Sequence, residues 1–438
     1  MAELKWVIEV NEKLKNMVDA STEISQWNKR SIYKVPACIT DLNKKAYRPL
    51  IVSFGPYHHG EAHLRPMDEH KQRALVHFLK RSGKPIESFL SSLEQVVEDL
   101  KNSYDPLDLK WQKDSRGFLQ MMILDGCFML EILSSSAQSY EDYAYNDPIF
   151  SSHGNINIVP YIKRDMLMLE NQLPLLVIEK LVAVETDNTK GGDYVNKLIF
   201  KFFSTGVESD MGNHECLHVL DVYRKSLLQE RSHEKTHHHH HHRCCRRRHH
   251  RSRISDIDDH NIPTATQLYD AGIRFRRKKS FSLKNISFKH GVLKLPIVLI
   301  DDTSEFIFLN LMAFERLHVG AGNEVTSYII FMDNLIDNDM DVALLQSSGI
   351  IDNVMGSDKA VAELFNSLSN DISLDPESDL MVVHKQVNKY SRQPWNAWKA
   401  NLMHTYFRNP WSLLYLIAAI FLFALTILQT VYTVLQGL

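Results

Sequence analysis

Histidines and carboxylates crowd two short stretches of this chain. In the first, His58, His59, His63 and His70 stand near Asp68 and Glu69. Imidazoles and carboxylates so close in sequence can ligate a metal or exchange a proton near neutral pH. The same residues also suit a turn whose imidazoles bond backbone carbonyls or the carboxylates of Asp125 and Glu170. That structural role is the one expected, because ion networks imitate sites. In the second stretch, His214-Glu215-Cys216-Leu217-His218 has the H-E-x-x-H spacing of zinc peptidases. There, two histidines one helical turn apart hold zinc and the glutamate activates water. Gly212 and Asn213 place this motif at a helix start, and no third ligand is evident, so no metal is expected. Gly55 and Gly60 have phosphate-loop spacing, but Glu61 and Ala62 stand where a Lys and a Ser or Thr are required. With no nucleophile elbow and no dinucleotide fingerprint, no cofactor is expected.

The elements that would position these residues are mostly helical. Apolar spacing predicts helices over Glu3–Asp19, Asp68–Arg81 and Pro85–Lys101. Pro36, Pro49, Gly55, Pro56 and Gly60 punctuate the stretch between the first two, leaving extended chain with a short strand at Leu50–Phe54. Phe118–Leu133 is apolar on nearly every face, so it belongs in the middle of a core. Asp125 interrupts it and needs a cation or several donors, so a Lys or Arg partner is expected nearby. After a polar loop over Ser134–Asn157, helices are predicted at Tyr161–Asn171, Pro174–Glu185, Asp193–Ser204 and Cys216–Gln229. Glu170, Asn171 and Gln172, just before Pro174, would form a polar knot between two of them.

Residues 230–261 are dominated by His and Arg and cannot bury a core, so they are expected to be disordered. His237–His242 would bind Zn or Ni in a test tube; a solvated linker is the expected role. Cys244 and Cys245, beside Arg243–Arg253, are candidate acylation sites, and the arginines could touch anionic headgroups. Beyond the linker, Thr264 and Gln267 have capping-box spacing. Ile273–Ile300 reads as two or three short antiparallel strands. Asp302 and Glu305 would cap a helix to Leu317, and helices follow at Thr326–Ile336, Asp339–Gln346, Ser357–Asp371 and Asp379–Tyr406.

Composition is that of a globular protein, with 44% hydrophobic and 24% charged residues among 438. The net charge of −3 supplies no global field for nucleic acid, so none is expected as a partner. Five scattered or adjacent cysteines suit a reducing compartment. Residues 411–435 carry no charge and form an apolar run long enough, at roughly 35 Å of helix, to cross a bilayer. Trp411, Tyr415 and Tyr432 sit toward its ends, where amphipathic rings meet headgroups. Only three residues follow Leu435, which implies insertion after translation. Arg392, Lys399 and Arg408 precede the run, which places the bulk of the chain in the cytosol.

Six stretches together resemble the plant family of unknown function numbered 247. They are IYKVPACITDLNKKAYRPLIVSFGPYHHG, MMILDGCFMLEIL, MLMLENQLPLLVIEKL, IPTATQLYDAGIRF, GVLKLPIVLIDD and the C-terminal YFRNPWSLLYLIAAIFLFALTILQTVYTV. The resemblance runs from about Ile32 to the C-terminus and implies a plant membrane protein with a C-terminal anchor. It implies no reaction; some members are associated with self-incompatibility recognition in grasses, others with growth or stress. The expected architecture is a mainly α, cytosolic domain with a small antiparallel β-element and one C-terminal transmembrane helix. Its parts are 1–229, the linker 230–261, 262–408 and the anchor 411–435. The expected function is recognition or signalling through an unknown protein partner at the plasma membrane or endoplasmic reticulum. The alternatives are an enzyme using His58, His59, Asp68, Asp125 and Glu170, and a non-catalytic scaffold.

Overall fold

A computed structural model describes residues 2–17, 19–41, 43–135, 142–204, 215–229, 262–369, 378–393 and 410–436. The described residues are mainly helical, with three small sheets among them, and the chain divides into two compact units. The first comprises Met1–Arg231 with Thr303–Thr326, the second Ser232–Asp302 with Ser327–Leu438. A helix from the C-terminal half thus belongs to the N-terminal unit.

In the first unit the helices are α1 (Ala2–Lys15), α2 (Ala20–Asn28), α3 (Ala37–Thr40), α4 (Pro66–Ser82), α5 (Ile86–Glu94), α6 (Val97–Asn102), α7 (Leu109–Lys113) and α8 (Ser115–Ser135). They continue with α9 (Ser152–Asn157), α10 (Val159–Met166), α11 (Leu175–Glu185), α12 (Gly192–Phe203) and α13 (Val219–Leu228). A parallel pair, β1 (Ile32–Tyr33) and β2 (Tyr104–Asp105), ties the start of the family-like region to the end of α6. The core forms around α8, whose residues Phe118–Leu133 are almost all buried, with α4, α5 and α11 packed on it. By length and composition α8 could cross a bilayer, but 78% of that stretch lies inside the protein. Gly126 explains the close approach of α11: a Cβ there would lie 2.6 Å from a Leu181 methyl.

Several expectations are corrected. Pro85–Lys101 is two helices, α5 and α6, broken at Gln95–Val96. The loop 134–157 contains α9, capped by the Ser151 hydroxyl. The helix expected to reach Asn171 ends at Met166, because Asn171 and Gln172 bond the carbonyls that close its last turn. Leu50–Phe54 is not a strand; its amides bind side chains instead of a neighbouring chain.

The second unit holds α14 (Ala265–Asp270), β3 (Arg274–Arg277), β4 (Ser287–Lys289), β5 (Val292–Leu295) and β6 (Val298–Ile300). The Thr264–Gln267 capping box is formed. Next in sequence is α15 (Ser304–Leu317), the helix that belongs to the first unit; its N-cap is Thr303, not Asp302. Helix α16 (Glu324–Leu335) begins at the boundary between the units, and α17 (Asp339–Ser347), β7 (Ile351–Asn353), α18 (Asp358–Leu368), α19 (Asp379–Ser391) and α20 (Pro410–Gln436) follow. The β-element is not simply antiparallel. Strand order is β3-β5-β4, with β3 parallel to β5 and only β4 antiparallel to it, and β6 pairs in parallel with β7. The linker 230–261, including His237–His242, lies outside the described residues, as does the part of the expected helical extension to Tyr406 that follows Gln393.

Candidate functional site

The polar residues singled out in the sequence gather around one piece of extended chain, residues 50–55. Its backbone N–H groups have no strand to pair with and must be satisfied when buried. Buried side chains supply the acceptors. Asp165 accepts from Leu50, Ile51 and Val52 at 2.8–3.1 Å. Asn171 Oδ1 accepts from Phe54 at 2.7 Å while its Nδ2 donates to the carbonyls of Val52 and Asp165. Asp125 Oδ2 accepts from Gly55 at 2.9 Å. Lys71 Nζ is the cation Asp125 requires, 2.6 Å from its Oδ1, and it also donates to the Ser53 carbonyl. Both side chains are 1% exposed. Lys71 lies on the apolar face of α4, with Met67, Ala74 and Phe78, which is where a lysine with a buried partner has to be.

His58 follows this segment. Its Nδ1 is 2.7 Å from Glu61 and its Nε2 is 3.6 Å from Glu170 Oε2, too long for a hydrogen bond. The other Glu170 oxygen accepts from Val35 N–H at 2.7 Å. Burial pushes the Glu170 carboxyl above its ordinary range and the His58 imidazole below its own, so both lean toward the neutral form. A histidine beside a carboxylate can in principle move a proton. Here the two side chains are 8% and 9% exposed. His59 stands apart, its ring edge-on to Trp111 at 5.2 Å, and burial lowers its pKa. Asp68 occupies the first turn of α4, where a negative charge suits the helix dipole, and bonds none of the others. The five candidates therefore do not converge: His58 and Glu170 meet, Asp125 pairs with Lys71, and His59 and Asp68 are separate.

The zinc-like motif resolves differently. His214 lies outside the described residues, as do Cys244 and Cys245. Glu215 is exposed, whereas His218 is fully buried as the N-cap of α13. Its Nδ1 accepts from Asp221 N–H and its Nε2 donates to the Ser31 carbonyl at 3.1 Å. Both nitrogens are thus committed, and burial lowers the pKa to about 4. Among the described residues no group of three or more His, Cys, Asp or Glu is arranged to hold a metal.

Sequence reasoning missed Asp165 and the triad of Arg224, Glu315 and Glu324, of which Arg224 and Glu315 are buried and Glu324 half-buried. Arg224 Nε donates to Glu315 at 2.8 Å and its guanidinium reaches Glu324. Glu315 also accepts from the amides of Val325 and Thr326. The available signal was charge on an apolar helix face: Asp165 beside Ile162 and Met166, Arg224 near Leu220.

The polar positions that hold residues 50–55 all fall inside the span matched by one family model. The family model for DUF247, plant proteins of unknown function, matches residues 32–425. The chain belongs to this family. This DUF247 protein is 32% identical over 426 residues to UPF0481 protein At3g47200 of Arabidopsis thaliana, an alignment covering 93% of the chain and 87% of that relative. It is 22% identical to a second Arabidopsis UPF0481 protein, At3g02645, over 98% of the chain and 94% of the relative. No solved structure matches the DUF247 chain.

Proposed function

We propose that this DUF247 protein is a membrane-anchored, non-catalytic recognition protein that acts by contact with another protein at the cytosolic face. The observation that carries the anchor is α20. Every described side chain from Leu414 to Thr433 is exposed, and no residue after Arg408 is charged. Leaving that many Leu, Ile, Phe and Val side chains in water would cost on the order of 20 kcal/mol, which a lipid environment removes. The cations Arg392, Lys399 and Arg408 before the helix favour a cytosolic body.

The buried polar cluster supports a non-catalytic reading. Its carboxylates and amides are occupied in holding the chain over residues 50–55, and the His58–Glu170 pair is closed to solvent. Recognition then falls to the outer surface. Alkaline carbonate extraction of native vesicles tests the anchor: retention is expected, and release of the chain overturns it. Proximity labelling from the intact chain, compared with a chain ending at Arg408, tests membrane-dependent recognition. A protein neighbour lost on truncation is expected; identical neighbours from both chains overturn it.

A further inference from the structure

The chain as a whole is slightly acidic, yet residues 271–300 contain eight Lys and Arg and no Asp or Glu. The three-stranded sheet places four of these charges on one face. Phe275, Leu293 and Phe288 are register partners across β3-β5-β4 and form the inner face. One residue along each strand, the side chains point the other way. There, Arg274 and Lys289 flank Val292 in one row, and Arg276 and Ser287 flank Lys294 in the next. Arg274, Arg276, Lys289 and Lys294 are all exposed, and among the described residues they make no ion pair.

This arrangement opposes folding. Arg276 and Lys294 are register partners, and like charges side by side on a sheet are destabilising. Strands about 4.8 Å apart and residues about 6.7 Å apart along a strand bring the four cations within about a Debye length of their neighbours. Their fields therefore add outward. At the β4 edge the positive surface continues around a shallow cavity of about 330 Å³, where Lys289 and His290 face Gln386 and Lys389 of α19, with no carboxylate in its lining.

We infer that this cationic sheet face docks on the anionic surface of a lipid bilayer, with the cavity beside β4 receiving a headgroup phosphate. The inference rests on the anchor reading: residues 392–409 can extend at most about 65 Å, so a chain anchored by α20 keeps the sheet within that reach of the headgroups. Charge complementarity selects the occupant, since each Lys or Arg near an anionic leaflet strengthens attachment and the attraction fades within a Debye length. The docked face positions the second unit on the membrane and leaves the rest of its surface for other contacts.

The test uses the full chain reconstituted into vesicles of phosphatidylcholine alone, with phosphatidylserine, or with a phosphatidylinositol phosphate. An amine-reactive label is applied, and acylation of Lys289 and Lys294 is read by mass spectrometry against Lys359, an exposed lysine on α18. Labelling of the two sheet lysines is expected to slow roughly fivefold or more on either anionic vesicle, and to recover at high salt. Preferential slowing on the phosphoinositide, reversed by soluble inositol phosphate, would assign the cavity to a phosphate headgroup; equal slowing on both anionic lipids would remove the cavity from the proposal and keep the face. The double variant Arg274→Glu/Arg276→Glu, with an unchanged melting temperature, is expected to restore labelling of Lys294. Equal labelling on neutral and anionic vesicles overturns the proposal, as it would if the occupant were an acidic protein or nucleic acid. A carbonate wash of the same vesicles reports α20 separately. A retained chain with unchanged labelling sinks the face and keeps the anchor, and a stripped chain with charge-dependent labelling does the reverse.

Discussion

Lys71→Met leaves the Asp125 carboxylate buried with the Gly55 N–H as its remaining donor, and strips the Ser53 carbonyl of its cation. Breaking a buried ion pair from one side costs about 3–5 kcal/mol, because the surviving charge stays out of water. Both side chains here are 1% exposed, so the upper part of that range applies. For a unit of this size each kcal/mol moves the midpoint by about 2–4 °C, so the melting temperature should fall by about 10 °C or more. The full chain in detergent micelles can be followed by circular dichroism at the helix band. Amide exchange at Gly55 supplies a local readout, since that N–H loses a well-ordered acceptor. The double variant Lys71→Met/Asp125→Leu should be less destabilised than the sum of the single changes, because it removes both charges together. It should not regain parental stability, since the Gly55 N–H and Ser53 carbonyl stay unpaired. A Lys71→Met midpoint within about 2 °C of the parent, with Gly55 exchange unchanged, would refute the view that this pair holds the 50–55 segment.

His218 gives a pH dependence of known sign. It is neutral in the fold, with its pKa lowered from 6.5 to about 4, while the unfolded chain protonates near the ordinary value. The stability it contributes is therefore present above pH 6.5 and lost as pH falls toward 4, by about 3 kcal/mol in all. His218→Asn, which retains an N-cap acceptor, should flatten the stability profile across that window; an unaltered slope in denaturant titrations speaks against this assignment. Gly55→Ala would place a Cβ 2.7 Å from the Gln172 carbonyl and 2.8 Å from the Tyr104 hydroxyl at a backbone φ of +75°. Strain and overlap together should cost about 2–4 kcal/mol, seen as a lowered urea midpoint; a neutral substitution would show that the chain can move away there. Arg224→Met should expose the amides of Val325 and Thr326 to faster exchange, because Glu315 then becomes an unpaired buried charge, at about 3 kcal/mol. Unchanged exchange at both amides would remove the triad from the account of how α13 and α15 are held.

Periodicity alone located most helices because burial of one face repeats with the backbone. The stretch 358–368 is legible for that reason, the stretch 118–133 because it is apolar on nearly every face, and the Thr264–Gln267 cap because its geometry is local. The requirement that Asp125 find a cation was also visible, since a charge inside an apolar helix has few solutions. Its identity was not. Lys71 reaches it from 54 positions away in the sequence, and nothing in the spacing distinguishes that lysine from its neighbours. The same limit applies to residues 50–55, whose Val and Ile content reads as a strand. Strand or not is decided by what the amides meet, and here they meet Asp165 and Asn171.

Residue types and order thus determined the family, the helical character, the charge-free C-terminal run and the basic character of residues 271–300. Tertiary structure decided which of the candidate histidines and carboxylates touch, that His218 spends both ring nitrogens on the backbone, and that four of the cations share one sheet face. The physical reason is range. Hydrophobic periodicity and charge are properties of neighbouring residues, whereas hydrogen-bond partners and desolvation depend on chain segments that folding brings together from far apart.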